Sequence, residues 1–379
     1  MKTLTTIINE LKSLTVTKAG RKLAGYSLLS TLFALLLMFT TSANSSENPF
    51  ENDVLKAYEL RVDGKVDEAK TLLENILKED PANAMAHYEL ARTLNYIDLR
   101  GSKEADLHLK KAIEYDSKNV IYAFYNARNS FLKAYIALQT GGDNAKELIN
   151  NVCDEYLKVL EMKPDYPEAL MYLVEIYGML PEEIGGDKTK AEKYTQQLEK
   201  LDKFYGAKAR LVMMPEGTDM AKYWNAYITN NGEDCKALKE LGVACIFADD
   251  IEGAQNSFEK AIKLDNAHNI RILDLGRYHM MKVMQNRDLA DEELPKSKKF
   301  VDQYLATTPE PIPPLKAYAL GMLAKINMFS GNREEGQKMM EKAKAIDPYF
   351  SRAFGIPSLS IFESPTELNN HFSSFFSPF

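Results

Sequence analysis

The hydrophobic pattern is clearest in residues 237–266, where two short apolar faces with helical spacing flank a polar turn. The apolar positions are Leu241, Gly242 and Cys245 before the turn and Ala254, Phe258 and Ala261 after it. Spacings of three and four residues project side chains from one side of an α-helix. Small residues at these positions allow two helices to approach closely. The stretch therefore predicts a pair of closely packed helices, with Asp249 capping the second one in a capping box with Glu252.

The same positions resemble the tetratricopeptide repeat, a helix-turn-helix unit of about 34 residues with large and small apolar residues at fixed places. Similar units follow one another through residues 53–349. The resemblance implies an all-α fold, namely a right-handed α-solenoid of about eight TPR-like helix-turn-helix pairs. Each pair in such an array contacts mainly its neighbours.

Three units depart from the regular pattern. Residues 180–187, which include Gly185, Gly186 and Asp187, are inserted in the turn of the fourth unit. The fifth unit is a short helix pair broken at 215–217, and it holds the single tryptophan. In the seventh unit the polar segment 287–293 displaces the second helix, which we expect at about 294–305.

The N-terminal segment predicts export. Residues 1–24 are polar and basic, and residues 26–39 form an apolar run without a charge. This run is shorter than the roughly 20 residues that a spanning helix needs, and small residues follow it at Thr41 and Ala43. We expect a signal peptide over residues 1–43, cleaved after Ala43, and a linker over residues 44–52. The alternative is an uncleaved N-terminal anchor, which is the one way in which we expect the chain to contact a membrane. Both place the solenoid outside the cytoplasm, in the periplasm.

The C-terminal segment 350–379 breaks the pattern and is rich in phenylalanine. An open solenoid exposes an apolar end that has to be covered. The segment therefore predicts a cap on the last helix pair. The alternative is a docking segment with Phe372, Phe375, Phe376 and Phe379 as anchors.

Charge narrows the class of partner. The chain is 45% hydrophobic and 27% charged, with a net charge of -7. Residues 1–43 hold five basic residues and one acidic residue, a net charge of +4, so the remainder carries -11. This sign argues against nucleic acid or an anionic membrane surface as partner. A protein or peptide partner is predicted instead.

Reactive residues do not form a recognisable motif. Cys153, Cys235 and Cys245 lack metal or redox spacing, and the ten residues between the last two separate them by roughly 15 Å on a helix, too far for a disulfide. The histidines are scattered, at His87, His108, His268, His279 and His371. Neither a phosphate loop nor a nucleophile elbow is present in the sequence. The sequence therefore predicts a non-catalytic protein with no cofactor and no metal.

The resemblance also implies a binding surface, because in this family the first helices of successive units line a concave groove. Carried over to this sequence, the predicted groove residues are Tyr88, Glu89, Arg92 and Asn95 in the second unit, Tyr125 and Arg128 in the third, and Tyr172 and Glu175 in the fourth, with Phe124 and Met171 beside them. Aromatic faces flanked by Arg and Glu can hold an extended peptide, although such side chains can also be merely solvated. Some family members bind a C-terminal carboxylate with a lysine and an asparagine, and here Val54 and Tyr58 occupy the first-unit positions of that set.

Two functions fit these features. The first is an exported scaffold that binds protein or peptide partners through its concave groove. The alternative is a solute-binding accessory subunit of a transporter, since residues 181–191 are similar to a Pro-x-x-x-Gly-Gly-Asp-x-x-Lys-Ala segment of bacterial exported repeat proteins. The sequence leaves the oligomeric state open.

Overall fold

The computed structural model describes residues 50–98, 102–139 and 144–351, which hold sixteen α-helices and no strand. The predicted signal peptide, most of the predicted linker and nearly all of the C-terminal segment lie outside these residues. In chain order the helices are α1 Glu51–Val62, α2 Val66–Glu79, α3 Ala84–Ile97, α4 Lys103–Tyr115, α5 Val120–Gln139, α6 Ala145–Met162, α7 Pro167–Met179, α8 Lys188–Leu201, α9 Lys203–Val212, α10 Met220–Asn231, α11 Cys235–Phe247, α12 Ile251–Leu264, α13 Arg271–Gln285, α14 Ala290–Leu305, α15 Pro313–Phe329 and α16 Arg333–Ile346. Within the described ranges, no helix has both the length and the apolar composition needed to cross a bilayer.

Sequence neighbours pack together along the array, as α5 does with α6, α11 with α12, and α15 with α16. The sixteen helices form eight consecutive pairs. The predicted all-α, right-handed solenoid of TPR-like pairs is confirmed. Its first helix begins at Glu51, inside the segment expected to be linker.

The pair α11/α12 shows why small residues recur. Ala254, Phe258 and Ala261 of α12 are buried, and Phe258 lies against Gly242 of α11. A Cβ atom on Gly242 would stand 2.3 Å from Cε1 of Phe258, well inside van der Waals contact. The two helices can approach this closely because position 242 has no side chain.

The predicted cap of α12 is wrong by one residue. Oδ1 of Asp250, not of Asp249, accepts the backbone N–H of Gly253 at 2.9 Å. Asp249 has a φ of 60° and completes the turn, while the N–H of Asp250 donates to the carbonyl of Cys245. The turn therefore uses one more residue than the sequence pattern indicates, and the capping box with Glu252 does not form as predicted.

The irregular units keep their helix pairs. The insertion in unit four forms a short 3-10 helix, Glu182–Ile184, and ends at Asp187, whose side chain accepts the N–H of Lys190 and caps α8. The segment that suggested a solute-binding subunit is thus the turn that starts α8. In unit seven, α14 starts at Ala290 rather than near residue 294, because three acidic residues form its first turn, where carboxylates stabilise a helix.

The two ends of the described array touch. Tyr96 on α3 bonds to Asp347, which follows α16, and Tyr349 donates to Oδ1 of Asp67 on α2 at 2.7 Å. Phe350, the first residue of the predicted C-terminal segment, is buried against α15 and α16. The array therefore returns on itself, whereas the sequence pattern led us to expect an open end.

Candidate functional site

The eight predicted groove residues lie on α3, α5 and α7, the first helices of units two to four. In α3 the side chain of Asn83 caps the helix by accepting the N–H of Ala86. Leu90 and Leu94 enter the core; Tyr88 and Arg92, one turn apart, lie at its edge, and only 10% of the Arg92 side chain is exposed. Phe124 and Met171, expected beside the groove, are buried in the core.

Glu89 joins the first two units through two arginines. Its Oε1 lies 2.6 Å from Nε of Arg61 on α1, and its Oε2 lies 3.2 Å from Nη1 of Arg92. Only 3% of Glu89 is exposed. A buried carboxylate is costly unless it is paired, so the two guanidinium groups hold this arrangement together. Burial acts to lower the pKa of Arg92, but Glu89 and the surrounding phenols of Tyr88, Tyr125 and Tyr58 together outweigh it, and the pKa is raised.

Tyrosine rings lie beneath these guanidinium groups. Arg61 and Arg92 stand over the ring of Tyr58, at 5.3 and 5.8 Å from its centroid. Arg92 is also 5.4 Å from the ring centroid of Tyr88. These distances lie within the range of cation–π attraction, so each guanidinium group is bound by both charge and ring face.

The same packing continues into the third unit. The ring of Tyr88 meets that of Tyr125 edge-on, with centroids 5.4 Å apart, and Arg128 lies 4.9 Å over Tyr125. We call the resulting cluster the tyrosine–arginine patch; its members are Tyr58, Arg61, Tyr88, Glu89, Arg92, Tyr125 and Arg128. Three arginines and one glutamate give it a net charge of +2 in a chain that carries -7.

Two polar atoms in and beside the patch have no hydrogen-bond partner among the described residues, Nη2 of Arg61 and Oδ1 of Asn95. The amide nitrogen of Asn95 is engaged, since it donates to Oδ1 of Asn129 at 3.2 Å and to the hydroxyl of Tyr125 at 3.4 Å. A buried polar atom without a partner costs free energy. This part of the protein therefore keeps one buried donor and one buried acceptor unsatisfied among the described residues.

The predicted residues of unit four are placed differently, because both are buried. Tyr172 stacks on Tyr156 at a centroid distance of 4.7 Å, and burial raises the pKa of both phenols. The charge of Arg128 acts to lower the pKa of both phenols, against the effect of burial. Tyr172 is therefore a core residue that interacts electrostatically with one arginine of the patch.

Glu175 is a buried acid beside an ion-pair network. Nζ of Lys208 lies 2.7 Å, and Nζ of Lys239 3.0 Å, from Oε1 of Glu240. Burial acts to raise the pKa of Glu240, but the two lysines outweigh it and lower the pKa to about 2. Burial raises the pKa of Glu175 to about 8; Lys208 acts against this shift and Glu240 reinforces it. At neutral pH Glu175 is therefore mostly a neutral acid that can donate a hydrogen bond.

Sequence reasoning missed part of this site. Tyr58 was considered only as a residue at a position of the missing carboxylate-binding set, and Arg61 was not predicted as a site residue. A signal was present, because the spacing Tyr-x-x-Arg occurs both at Tyr58 and Arg61 and at Tyr125 and Arg128. Lys208 and Glu240 could not be found in this way, since their contact with Glu175 depends on how three helix pairs pack.

The scattered histidines are also brought into clusters. Nδ1 of His87 lies 2.7 Å from Nδ1 of His108, and burial together with His87 lowers the pKa of His108 to about 4. His268 lies close to Cys235 and Asp265, a set that could hold a metal ion. Sequence spacing gave no sign of this set, because its members are brought together only by the fold.

Comparison with known proteins agrees with the repeat geometry. The tetratricopeptide repeat family model matches residues 237–268 and 317–350. These ranges contain nearly all of α11 and α12, and of α15 and α16. The chain therefore contains tetratricopeptide repeats in these two ranges, and proteins with this repeat typically bind protein partners. Among curated proteins, none matches the chain.

Several solved structures are similar to it at low identity. They include MamA, with 16% identity over 55% of this chain and 94% of that chain and a TM-score of 0.31. A thermophilic TPR protein of Thermus thermophilus is 18% identical over 58% of this chain and 95% of that chain, with a TM-score of 0.36. PilF of Pseudomonas aeruginosa is 13% identical over 80% of this chain and 96% of that chain, with a TM-score of 0.24. These likenesses are too distant to indicate a function.

Proposed function

We propose that this protein is an exported, non-catalytic interaction scaffold that binds an extended acidic segment of a protein partner along the tyrosine–arginine patch. The observation that carries the proposal is the charge of the patch, +2 on the first helices of a chain whose net charge is -7. A positively charged patch on a negatively charged protein favours an acidic partner.

The chemistry of recognition follows from the groups present. Carboxylates of the partner form charge-assisted hydrogen bonds with Arg128, which is partly exposed, and with the 10% of the Arg92 side chain that is exposed. Both guanidinium groups are already ordered by the tyrosine rings beneath them. The tyrosine faces supply apolar contact at a low entropy cost.

Export is the second part of the proposal. It is supported by the basic start of the chain followed by the uncharged apolar run 26–39. Cell fractionation followed by mass spectrometry of the recovered N-terminus tests it. Recovery outside the cytoplasm with a first residue near 44 is the expected result, and an intact N-terminus on a cytoplasmic protein contradicts it.

Peptide display tests the binding proposal. The immobilised full chain is used to select from a random peptide library, and the selected peptides are titrated against purified variants. We expect enrichment of Asp and Glu, affinities that fall as salt is raised, and a loss of about tenfold or more in Arg128→Gln and Arg92→Gln.

Arg210→Gln is the matched control. Arg210 also pairs with carboxylates, those of Glu192 and Glu199, but it lies on α9, outside the patch. Its replacement should leave the affinity unchanged. Equal affinities in the patch variants and the wild type, or selection of basic peptides, would contradict the proposal.

A further inference from the structure

Three potential metal ligands converge where the sixth helix pair joins the seventh. Cys235 is the first residue of α11, Asp265 ends α12, and His268 lies in the 3-10 segment Asn266–Ile270 that leads into α13. One ligand atom from each, a thiol sulfur, a carboxylate oxygen and an imidazole nitrogen, lie within 4.8 Å of one another. The second and third residues are 30 and 33 positions beyond the first, so only the fold brings them to it.

We propose that Cys235, Asp265 and His268 form a binding site for a divalent zinc-type cation, with solvent in the fourth position. Zinc is commonly bound by cysteine, histidine and carboxylate ligands, and sites with three protein ligands keep one position open. A thiolate selects against magnesium and calcium, which prefer oxygen ligands.

The local backbone permits the small contraction that binding requires. Ligand atoms around tetrahedral zinc lie about 3.5 Å apart, given metal–ligand bonds of roughly 2.0 to 2.3 Å. The three ligand atoms, which now lie within 4.8 Å of one another, therefore have to approach by about 1 Å. Cys235 stands at a helix end, and the other two ligands lie on the connection between helices, so α11 and α12 need not be distorted.

The protonation states fit this role. Burial lowers the pKa of His268 to about 4, so its imidazole is neutral at pH 7 and can donate a lone pair. Burial also raises the pKa of Cys235, and the carboxylates of Asp265 and Asp234 add to this effect. A bound divalent cation removes the cost of ionising Cys235 here, because it neutralises the thiolate and one carboxylate together.

Nearby cations do not block the site. The charges of Arg271 and Lys239 both act on His268. Each lies close to a carboxylate that it shares with a second cation: Arg271 is 2.7 Å from Asp274, and Lys239 is 3.0 Å from Glu240. These carboxylates offset part of the repulsion between the two cations and a metal ion.

The consequence for the protein is a link between two helix pairs. The metal would tie the start of α11 to the connection between α12 and α13, where a TPR array otherwise depends on packing alone. Because the ion binds the folded chain, it should raise the melting temperature.

Cobalt titration tests the site. The full chain is stripped of metal with a chelator, kept reduced and titrated with Co²⁺, while absorption is recorded in the thiolate-to-cobalt charge-transfer region. We expect one equivalent of Co²⁺ to bind with this band and Zn²⁺ to displace it. Cys235→Ser should abolish the band, and His268→Gln should weaken binding by about a hundredfold.

Cys245→Ser is the matched control, because Cys245 is a buried thiol on the same helix, ten residues away. It should bind cobalt as the wild type does. If His268→Gln fails to fold, Asp265→Asn serves instead, since its amide oxygen can still accept the N–H of Ala267 that Asp265 accepts at 3.0 Å. The absence of a thiolate band in the wild type, or its survival in Cys235→Ser, overturns the proposal.

Discussion

The phenol of Tyr96 donates a 2.5 Å hydrogen bond to Oδ2 of Asp347 across 251 positions of sequence. Asp347 is fully buried, although it follows the last helix of the array. Its Oδ1 accepts the N–H of Tyr349, whose hydroxyl in turn bonds to Asp67. These three contacts join the first two units to the last one, so the terminal pairs stabilise each other.

Removing the Tyr96 hydroxyl should loosen this closure. Tyr96→Phe keeps the ring and deletes a hydrogen bond to a charged group, so we expect a loss of about 1.5 to 3 kcal/mol in the free energy of unfolding. Urea unfolding measures the loss, and small-angle X-ray scattering should show a larger radius of gyration. Tyr115→Phe is the control, because Tyr115 is exposed at 44%. An unchanged radius and stability in Tyr96→Phe would show that the ends do not hold each other.

Gly242 should not tolerate a side chain. A Cβ at this position would overlap the ring of Phe258, so we expect Gly242→Ala to lose about 2 kcal/mol even though alanine favours helices. Gly276 occupies the same place in the next unit, but its Cβ would meet Val301 at 3.2 Å, which is much milder. Gly276→Ala should change stability by less than about 1 kcal/mol. Thermal and urea unfolding compare the two, and equal losses would contradict the packing argument.

Glu89 should matter more for stability than an exposed glutamate. Glu89→Gln leaves Arg61 and Arg92 buried without their shared carboxylate, which should cost about 3 kcal/mol. Glu334→Gln removes a surface pair with Lys338, and its side chain is 87% exposed, so we expect a loss of less than about 1 kcal/mol. Chemical unfolding of both variants tests the difference. If Glu89→Gln loses as little stability as Glu334→Gln, Arg61 and Arg92 pair with other groups once Glu89 is replaced.

Glu175 should make stability depend on pH. Its folded pKa of about 8 lies above the ordinary value of 4.5, so the folded protein holds this proton more tightly than the unfolded chain does. The resulting stabilisation is complete below pH 4.5 and is lost as the pH rises toward 8. Glu240, with a pKa of about 2, does not titrate in this window.

Glu175→Gln isolates this effect. Relative to the wild type, the variant should gain stability between about pH 4.5 and 8, by on the order of 5 kcal/mol, since the two pKa values of 4.5 and about 8 differ by about 3.5 and each pKa unit corresponds to about 1.4 kcal/mol. Urea unfolding of both proteins across this range and up to about pH 9 measures the change. If the free energies of unfolding of the two proteins change with pH in parallel, Glu175 ionises at its ordinary pKa.

Local signals in the sequence were enough to predict the helices and their pairing. The break at residues 215–217, which separates α9 from α10, and the insertion that ends at Asp187, directly before α8, both followed from such signals. Periodic apolar positions, capping side chains and helix-breaking residues act within a few positions of one another, so a single sequence carries them. Boundaries failed where two neighbours competed for one role, as Asp249 and Asp250 did.

Contacts between distant side chains, in contrast, came from the tertiary structure alone. The closure through Tyr96 and Asp347, the raised pKa of Glu175 and the approach of Cys235 to His268 all depend on the angles between successive pairs. Small changes in those angles accumulate over eight units, and the periodic pattern of one unit contains no information about their sum. The repeat therefore determines how each pair packs, while the arrangement of successive pairs determines which distant side chains meet.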